Sequence, residues 1–262
     1  MKAKVITLLS DFGDVYPASM KGVILGINPT VRIMDISHSV PPHDIRAGAF
    51  ILMTTAGYFP SGTVHIAVVD PGVGTKRRAL AIVAESHGKV HYFIGPDNGL
   101  LIPAAKSLGD FEVYEITNRN LFRKNISSTF HGRDIFAPVA ARISKGLNIS
   151  DAGRQIFDFV NLDFGNGIKK DNSLSGRIIF VDSFGNIVTN ISKDLVELQP
   201  GDILELEEKH VTFHSSYGFC KKGEPLALIG SHGFLEIAIN MGNAALYFDK
   251  KPEDEIVVRK IT

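Results

Sequence analysis

Cysteine is nearly absent. Cys220 is the single thiol in 262 residues, so the chain can form no internal disulfide, no Cys-x-x-Cys redox pair and no zinc ribbon. Net charge is absent too, because 28 Lys and Arg balance 28 Asp and Glu. Without a positive excess, the chain lacks the footprint of a nucleic-acid clamp or a polybasic membrane binder. Charge runs are short, so no acidic or basic tail hides behind the average. Long apolar runs are missing. The longest weakly polar stretch, residues 47–60, is broken by Thr54, Thr55 and Gly57 and falls short of the ~18 residues of a membrane span. The apolar run at 5–9 stops at Ser10-Asp11, too early for a signal-peptide core. Phosphate cradles are also missing. Gly72-Val-Gly74 lacks the third glycine of a dinucleotide fingerprint, and no P-loop lysine motif occurs.

What is there is a globular composition, 44% hydrophobic, in a chain long enough for two domains. The expectation is a soluble, cytoplasmic protein with no nucleic-acid and no membrane partner. The first part alternates strand and helix signals. Apolar runs at 5–9, 31–36, 63–69, 79–85, 90–94 and 111–116 read as strands. Segments at 20–28, 44–58, 100–107 and 135–145 read as helices, with Asp44 a candidate N-cap. Ser86-His-Gly-Lys89 reads as a hairpin turn. This is an α/β layered domain with a largely parallel sheet. From about residue 168 the texture changes to short β-like runs, at 177–181, 203–207, 211–213, 226–229, 235–239, 244–248 and 255–260. They predict a smaller all-β barrel domain. The polar stretch 161–175 reads as the linker, giving domains at 1–165 and 166–262.

In open α/β sheets ligands gather beyond the carboxyl ends of strands. Polar density collects in such loops: Ser10-Asp-Phe-Gly-Asp14, Asp70-Pro-Gly-Val-Gly-Thr-Lys-Arg-Arg78, Pro96-Asp-Asn-Gly99 and Ser128-Thr-Phe-His-Gly-Arg-Asp134. The β domain adds Asp182-Ser-Phe-Gly-Asn186 and Ser231-His-Gly-Phe-Leu-Glu236. Each has a bland reading. Asp70-Pro-Gly and Asp97-Asn-Gly are turn chemistry, Asp134 is a helix cap, His131 sits at a helix edge, and Phe130 is core. His38 and His43 read as loop residues rather than a metal pair, and Cys220 as a small buried apolar residue. Taken together, the loops describe a polar enzyme site without a phosphate cradle.

In this order the motifs resemble those of the S-adenosyl-L-methionine (SAM) hydroxide adenosyltransferase family, the SAM hydrolase relatives of the fluorinase and chlorinase. The matching residues are Asp11-Phe-Gly13, Met20-Lys-Gly22, Asp35-Ile-Ser-His38, Val68-Val-Asp-Pro-Gly-Val-Gly-Thr75, Gly95-Pro-Asp-Asn-Gly-Leu-Leu101, Thr129-Phe-His-Gly-Arg-Asp134, Phe184-Gly-Asn186 and Thr189-Asn190. The resemblance implies attack of water on the 5′ carbon of SAM, releasing adenosine and L-methionine. SAM is then the substrate, with no cofactor and no metal. It also implies a homotrimer whose sites lie at subunit interfaces. By position, the resemblance makes Asp70, Arg77 and His131 catalytic. It assigns Asp11 to the ribose hydroxyls, Asp182 to the methionine ammonium, and Tyr217 to stacking on the base. Phe130, Phe184, Asn186, Ser231, Glu236 and Met241 are further substrate contacts. Where the fluorinase carries Tyr, Thr and Ser, this chain has Asp70, Val73 and Gly132, which favours water over halide as nucleophile.

The chemistry suits such a set. Methionine leaves a sulfonium as a neutral thioether, so no leaving-group acid is needed. Water is the weak partner, and a fixed cation such as Arg77 stabilises the hydroxide it becomes. Asp70 or His131 then takes the proton. Three other readings stand beside this one: a halide-using SAM adenosyltransferase, a non-catalytic adenosine or SAM sensor, and a divalent-metal phosphoesterase built on Asp11, Asp70, Asp97, His131 and Asp134.

Overall fold

The computed structural model describes residues 5–261, which divide into two compact units, the first ending at Asp163 and the second beginning at Phe164. In the first unit, strands β1 (Val5–Ser10), β2 (Arg32–Ser37), β3 (Val64–Val68), β4 (Ala79–Ser86), β5 (Lys89–Pro96), β6 (Asp110–Ile116) and β7 (Gly153–Ile156) form one sheet in the order β2-β1-β3-β5-β4-β6-β7. The first four strands of that order pair in parallel, and β4, β6 and β7 extend the sheet antiparallel. Five of the seven strands therefore point the same way, the mixed but mainly parallel sheet expected of alternating strands and helices. Helices α1 (Tyr16–Ile27), α2 (Ile45–Ala56), α3 (Ile102–Ser107) and α4 (Ala137–Ser144) pack as the pairs α1 with α4 and α2 with α3.

Every residue of β1 and β3 is buried, which explains their nearly continuous apolar sequence. Ile6, Leu8, Ile66 and Val68 meet Met20 and Ile24 of α1 and Ala137, Ala140 and Ala141 of α4. Strand alternation turns Thr7, Leu9, His65 and Ala67 to the opposite face. The β4–β5 hairpin turns on His87 and Gly88, both at positive φ, as a two-residue turn with right-handed strand twist requires. Asp44 caps α2 by accepting the Ala47 N–H at 2.8 Å.

The second unit holds β8 (Ile168–Lys170), β9 (Ser173–Val181), β10 (Ile187–Ser192), β11 (Ile203–Leu206), β12 (Lys209–Phe213), β13 (Pro225–Ile229), β14 (Phe234–Ile239), a short helix α5 (Ala244–Tyr247) and β15 (Glu255–Ile261). Seven strands close in the order β10-β14-β13-β12-β11-β15-β9 and back to β10, with β8 attached outside on β9. Ile178, Ile187, Ile191, Leu206, Val211, Leu235 and Ile237 are among the side chains that fill the barrel. Closure leaves only the three-residue β8, carrying Lys169 and Lys170, as an outer edge, a short lysine-guarded edge that resists further pairing.

Four sequence expectations need correction. Residues 244–248 are not a strand. Asn243 accepts the Leu246 N–H at 2.8 Å and so caps a helical turn that the apolar composition concealed. A strand was missed at Ile187–Ser192, because Thr189 and Asn190 interrupt its apolar pattern. Both polar groups are spent inside the barrel: the Thr189 hydroxyl donates to the Leu235 carbonyl at 2.8 Å, and the Asn190 amide bridges the Phe164 carbonyl and the Arg177 N–H at 2.9 and 2.8 Å. The stretch 161–175 is not free linker, since it contains β8 and the start of β9. Finally, α1 starts at Tyr16 rather than near residue 20, because Pro17 sits in its first turn, where a missing N–H is harmless.

One polar feature lies deep in the sheet. Thr7 Oγ1 is 2.8 Å from His65 Nδ1, and His65 Nε2 is 3.1 Å from His91 Nδ1. His65 is fully buried, and burial first, then His91, pushes its pKa down to about 3. An unfolded chain binds a proton at this imidazole near pH 6.5, whereas the folded chain refuses it. Stability therefore declines as pH falls from about 6.5 toward 3, by roughly 1 kcal/mol per pH unit midway. Urea titrations at about pH 7 and pH 5 should show this loss, and His65→Leu should flatten it.

Candidate active site

The chain leaves β3 through Val69 into Asp70-Pro-Gly, which turns at once: the Val73 N–H donates to the Asp70 carbonyl at 3.2 Å, and the Thr75 N–H to Gly72 at 3.2 Å. The turn brings Arg77 back onto Asp70. Arg77 Nε lies 3.0 and 3.1 Å from the two Asp70 carboxylate oxygens, and Nη2 lies 2.5 Å from Oδ2. Nη2 also donates to His131 Nδ1 at 2.8 Å, and Nη1 to the Arg78 carbonyl at 3.2 Å. The guanidinium rests over the Phe136 ring, 5.2 Å from its centroid. Side-chain exposures of 4% for Asp70 and 11% for Arg77 make this a buried ion pair, in which removing either partner strands the other's charge. The structure thus joins Asp70, Arg77 and His131 in one hydrogen-bonded chain.

His131 stands at the start of a π-helical turn, Gly132–Phe136, that leads into α4. Since a guanidinium only donates, His131 Nδ1 accepts, and the neutral ring carries its proton on Nε2. Burial, then the Arg77 charge, lowers its pKa against the opposing pull of Asp70 and Asp134. Asp134 is not a helix cap. Its carboxylate is fully buried and takes Arg123 Nη1 at 2.9 Å, Arg133 Nε at 2.7 Å, Arg133 Nη2 at 2.9 Å and the Ser127 N–H at 2.8 Å.

The first loop lies beside this chain. Phe12, Tyr16 and Phe130 meet edge to face, with centroids 5.6 to 6.3 Å apart, and Arg133 lies over Phe130 at 5.1 Å. Phe130 is therefore part of an aromatic wall next to His131. Asp11 accepts the His43 N–H at 2.9 Å. Behind it runs a chain in which Ser10 Oγ is 2.8 Å from His38 Nδ1, His38 Nε2 is 3.1 Å from Asp35, and Lys21 Nζ is 2.6 Å from Asp35. The motifs Met20-Lys-Gly22 and Asp35-Ile-Ser-His38 thus meet each other and buttress the Asp11 loop. Phe12 and Arg133 lie inside matched motifs but were given no role of their own from sequence, and Phe136 was not singled out.

In the barrel unit, Asp182 Oδ1 accepts the Phe184 and Asn186 N–H groups at 2.9 Å each, and Oδ2 accepts the Asn186 side-chain amide at 2.9 Å. The Tyr217 hydroxyl donates to buried Glu236 at 2.5 Å, and His232 Nε2 lies 3.2 Å from the other Glu236 oxygen. Burial, the Glu236 hydrogen bond and the Glu236 and Asp182 charges raise the Tyr217 pKa. Asp182 with Asn186, and Glu236 with Tyr217 and His232, are thus two hydrogen-bonded sets, with the Asp182 charge reaching Tyr217 through space and Phe184 exposed beside Asp182. Ser231 and Met241 stay outside both sets. Met241 is largely exposed at a positive φ after β14. His232 was missed as a partner of Glu236, although its spacing of four residues was visible.

The carboxylates of the metal-site reading do not converge. Asp70 faces Arg77, Asp97 faces Arg78 at 2.8 Å, Asp134 faces two arginines, and Asp11 faces a main-chain N–H. Among the described residues no group of three or more His, Cys, Asp or Glu is arranged to hold a metal ion. Comparison with known proteins decides the family. The model of the SAM hydroxide adenosyltransferase N-terminal domain matches residues 6–153, and that of the C-terminal domain matches residues 176–257. The chain belongs to this family. An (R)-S-adenosyl-L-methionine hydrolase of Salinispora tropica is 38% identical over 258 residues, 97% of each chain. A crystal structure of an uncharacterized conserved protein from Thermotoga maritima superposes with a TM-score of 0.87 at 37% identity, covering 97% of this chain and 99% of that one. A fluorinase of Actinoplanes sp. is similar at 27% identity, over 98% of this chain and 97% of its own.

The turn that carries Asp70 and Arg77 depends on Gly74. Its φ is +75°, and a Cβ there would sit 2.2 Å from the Ser128 carbonyl oxygen. Gly74→Ala should cost about 2 kcal/mol or more in stability, measured by denaturant unfolding, and should abolish any activity that requires Arg77.

Proposed function

We propose that this chain hydrolyses S-adenosyl-L-methionine at C5′ to adenosine and L-methionine. The chain Asp70–Arg77–His131 at the carboxyl end of β3 carries the reading, because it supplies the one thing the reaction lacks. The leaving thioether is neutral and needs no acid, while water must become nucleophilic. Arg77 has five N–H donors, and four are committed to Asp70, His131 and the Arg78 carbonyl among the described residues. The remaining Nη1–H can hold the attacking oxygen and stabilise the charge it develops. As the C5′–O bond forms, the C5′–S pair passes to sulfur and water's proton leaves through the groups flanking the guanidinium, Asp70 or His131. His131 can accept it on Nδ1 only by releasing Arg77. A carboxylate beside the nucleophile repels halide, which favours water over the fluorinase-type reaction.

The remaining residues act in binding. Asp11 accepts the ribose diol beside the Phe12–Tyr16–Phe130 wall. The Asp182 and Glu236 carboxylates suit a cationic amino acid, with Asn186, Phe184, Tyr217, Ser231 and Met241 closing on the nucleoside. The reading includes no cofactor, no metal and no nucleic-acid partner. It extends to a cytoplasmic homotrimer with shared sites, which the exposed apolar side chains Phe184, Phe219, Met241 and Leu246 of the barrel unit favour; no helix among the described residues is long and apolar enough to cross a membrane. Sedimentation should then give three times the 28.5 kDa chain mass.

A chromatographic time course with SAM in halide-free buffer tests the reaction. Equal adenosine and methionine, unaffected by EDTA, are expected. Asp70→Ala, Arg77→Ala and His131→Ala should each lower kcat at least about 100-fold. The acid limb of kcat should fall below the ordinary imidazole range of about 6.5, because His131 must stay neutral to hold Arg77. Saturable binding without turnover would leave a sensor, and activity abolished by EDTA would return the metal reading.

A further inference from the structure

We propose that Asp134 is a positioning residue for this reaction, locking the turn that bears His131 to the segment that backs the Arg77 loop. The inference rests on Asp70, Arg77 and His131 being the reacting groups. Asp134 lies three residues after His131 in the π-turn, and two of its four carboxylate hydrogen bonds reach across the chain to Arg123 and Ser127. Its main-chain carbonyl also accepts the Arg123 N–H at 3.0 Å. Segment 123–127 is therefore fastened at both ends to one residue. Its continuation, Ser128, presents the carbonyl oxygen against which Gly74 is packed. One buried carboxylate thus fixes two walls at once, the imidazole on one side of Arg77 and the turn that carries Arg77 on the other. Arg133, held by the same carboxylate through two hydrogen bonds, is kept over Phe130.

The arrangement exceeds what loop closure needs. A π-turn places its side chains differently from an α-helix and is maintained only where the surroundings hold it. Here the holding groups are charged on both sides. Burial pushes the Asp134 pKa up, but Arg133, the Ser127 N–H and Arg123 together pull it below the usual range. Asp134 also acts on His131 through space, opposing the Arg77 charge together with Asp70. Removing its charge leaves Arg123 and Arg133 uncompensated, and both effects make His131 harder to protonate.

The test compares Asp134→Asn, Arg123→Met and Arg123→Lys with the parent chain, reading kcat, the KM for SAM, thermal unfolding and the NMR titration of the His131 imidazole, assigned with His131→Gln. Folded Asp134→Asn should lose about tenfold or more in kcat with KM changed less than about twofold, and the His131 midpoint should move down. Arg123→Met should show a smaller loss of the same kind, and Arg123→Lys should recover most of it. Parental kcat, a loss confined to KM, or an unmoved His131 midpoint in folded Asp134→Asn would overturn the proposal. If Asp134→Asn does not fold, Arg123→Met decides by its kcat and KM alone, a loss in kcat that Arg123→Lys recovers supporting the proposal and parental kcat overturning it. If the parent chain does not turn over SAM, the functional reading fails, while the His131 titration still reports whether Asp134 sets that imidazole's environment.

Discussion

The guanidinium of Arg77 organises the first unit's site. It is a permanent charge placed where little water reaches it, and a buried cation persists only when its neighbours meet it with the right polarity. Asp70 supplies the balancing charge and takes two N–H groups, a neutral imidazole takes a third, and a main-chain carbonyl takes a fourth. The Phe136 ring beneath completes the surroundings. Each of these contacts places a demand on the chain: a turn that folds back over seven residues, a glycine at its apex, and a helix entered through a π-turn.

Each unit carries its own polar set. The sheet unit presents a cation and an aromatic wall, and the barrel unit presents two carboxylates joined to a tyrosine and an asparagine. The hydrogen bonds within each unit also explain why the polar residues are so numerous. Asp35, His38 and Ser10 brace the Asp11 loop, and Asn190 and Thr189 serve the barrel wall.

Legibility from sequence followed the physics of each element. Strands buried on both faces announced themselves as apolar runs, and Asp44 marked a helix start because capping is local. Site residues at strand ends were visible as clusters, yet composition alone left Asp70 a turn residue, and only the ordered motifs gave it a role. What was hidden depended on distant partners. Strand 187–192 buries an asparagine and a threonine whose partners lie up to 46 residues away, so no local pattern could report them. Asp134 looked like a cap because its arginine partners are one and eleven residues off, and the fold alone brings the second to it. Residues 244–248 misled for the opposite reason, an apolar run whose conformation a single flanking asparagine decides.

The buried imidazole pair has a consequence for how the sheet assembles. Strands β1 and β3 are Val, Ile, Leu and Ala apart from Thr7, Ser10 and His65, and so offer little to distinguish one alignment from another shifted by two residues. Thr7, His65 and His91 sit on three adjacent strands and satisfy one another only in the observed alignment. A shift of β1 or β5 against β3 by two residues keeps each side chain on its own face of the sheet but strands a hydroxyl or a ring nitrogen, at about 1–3 kcal/mol for each orphaned group. The trio therefore acts as a peg through the middle of the sheet. By fixing where β3 ends relative to its neighbours, it sets the height at which Asp70 emerges.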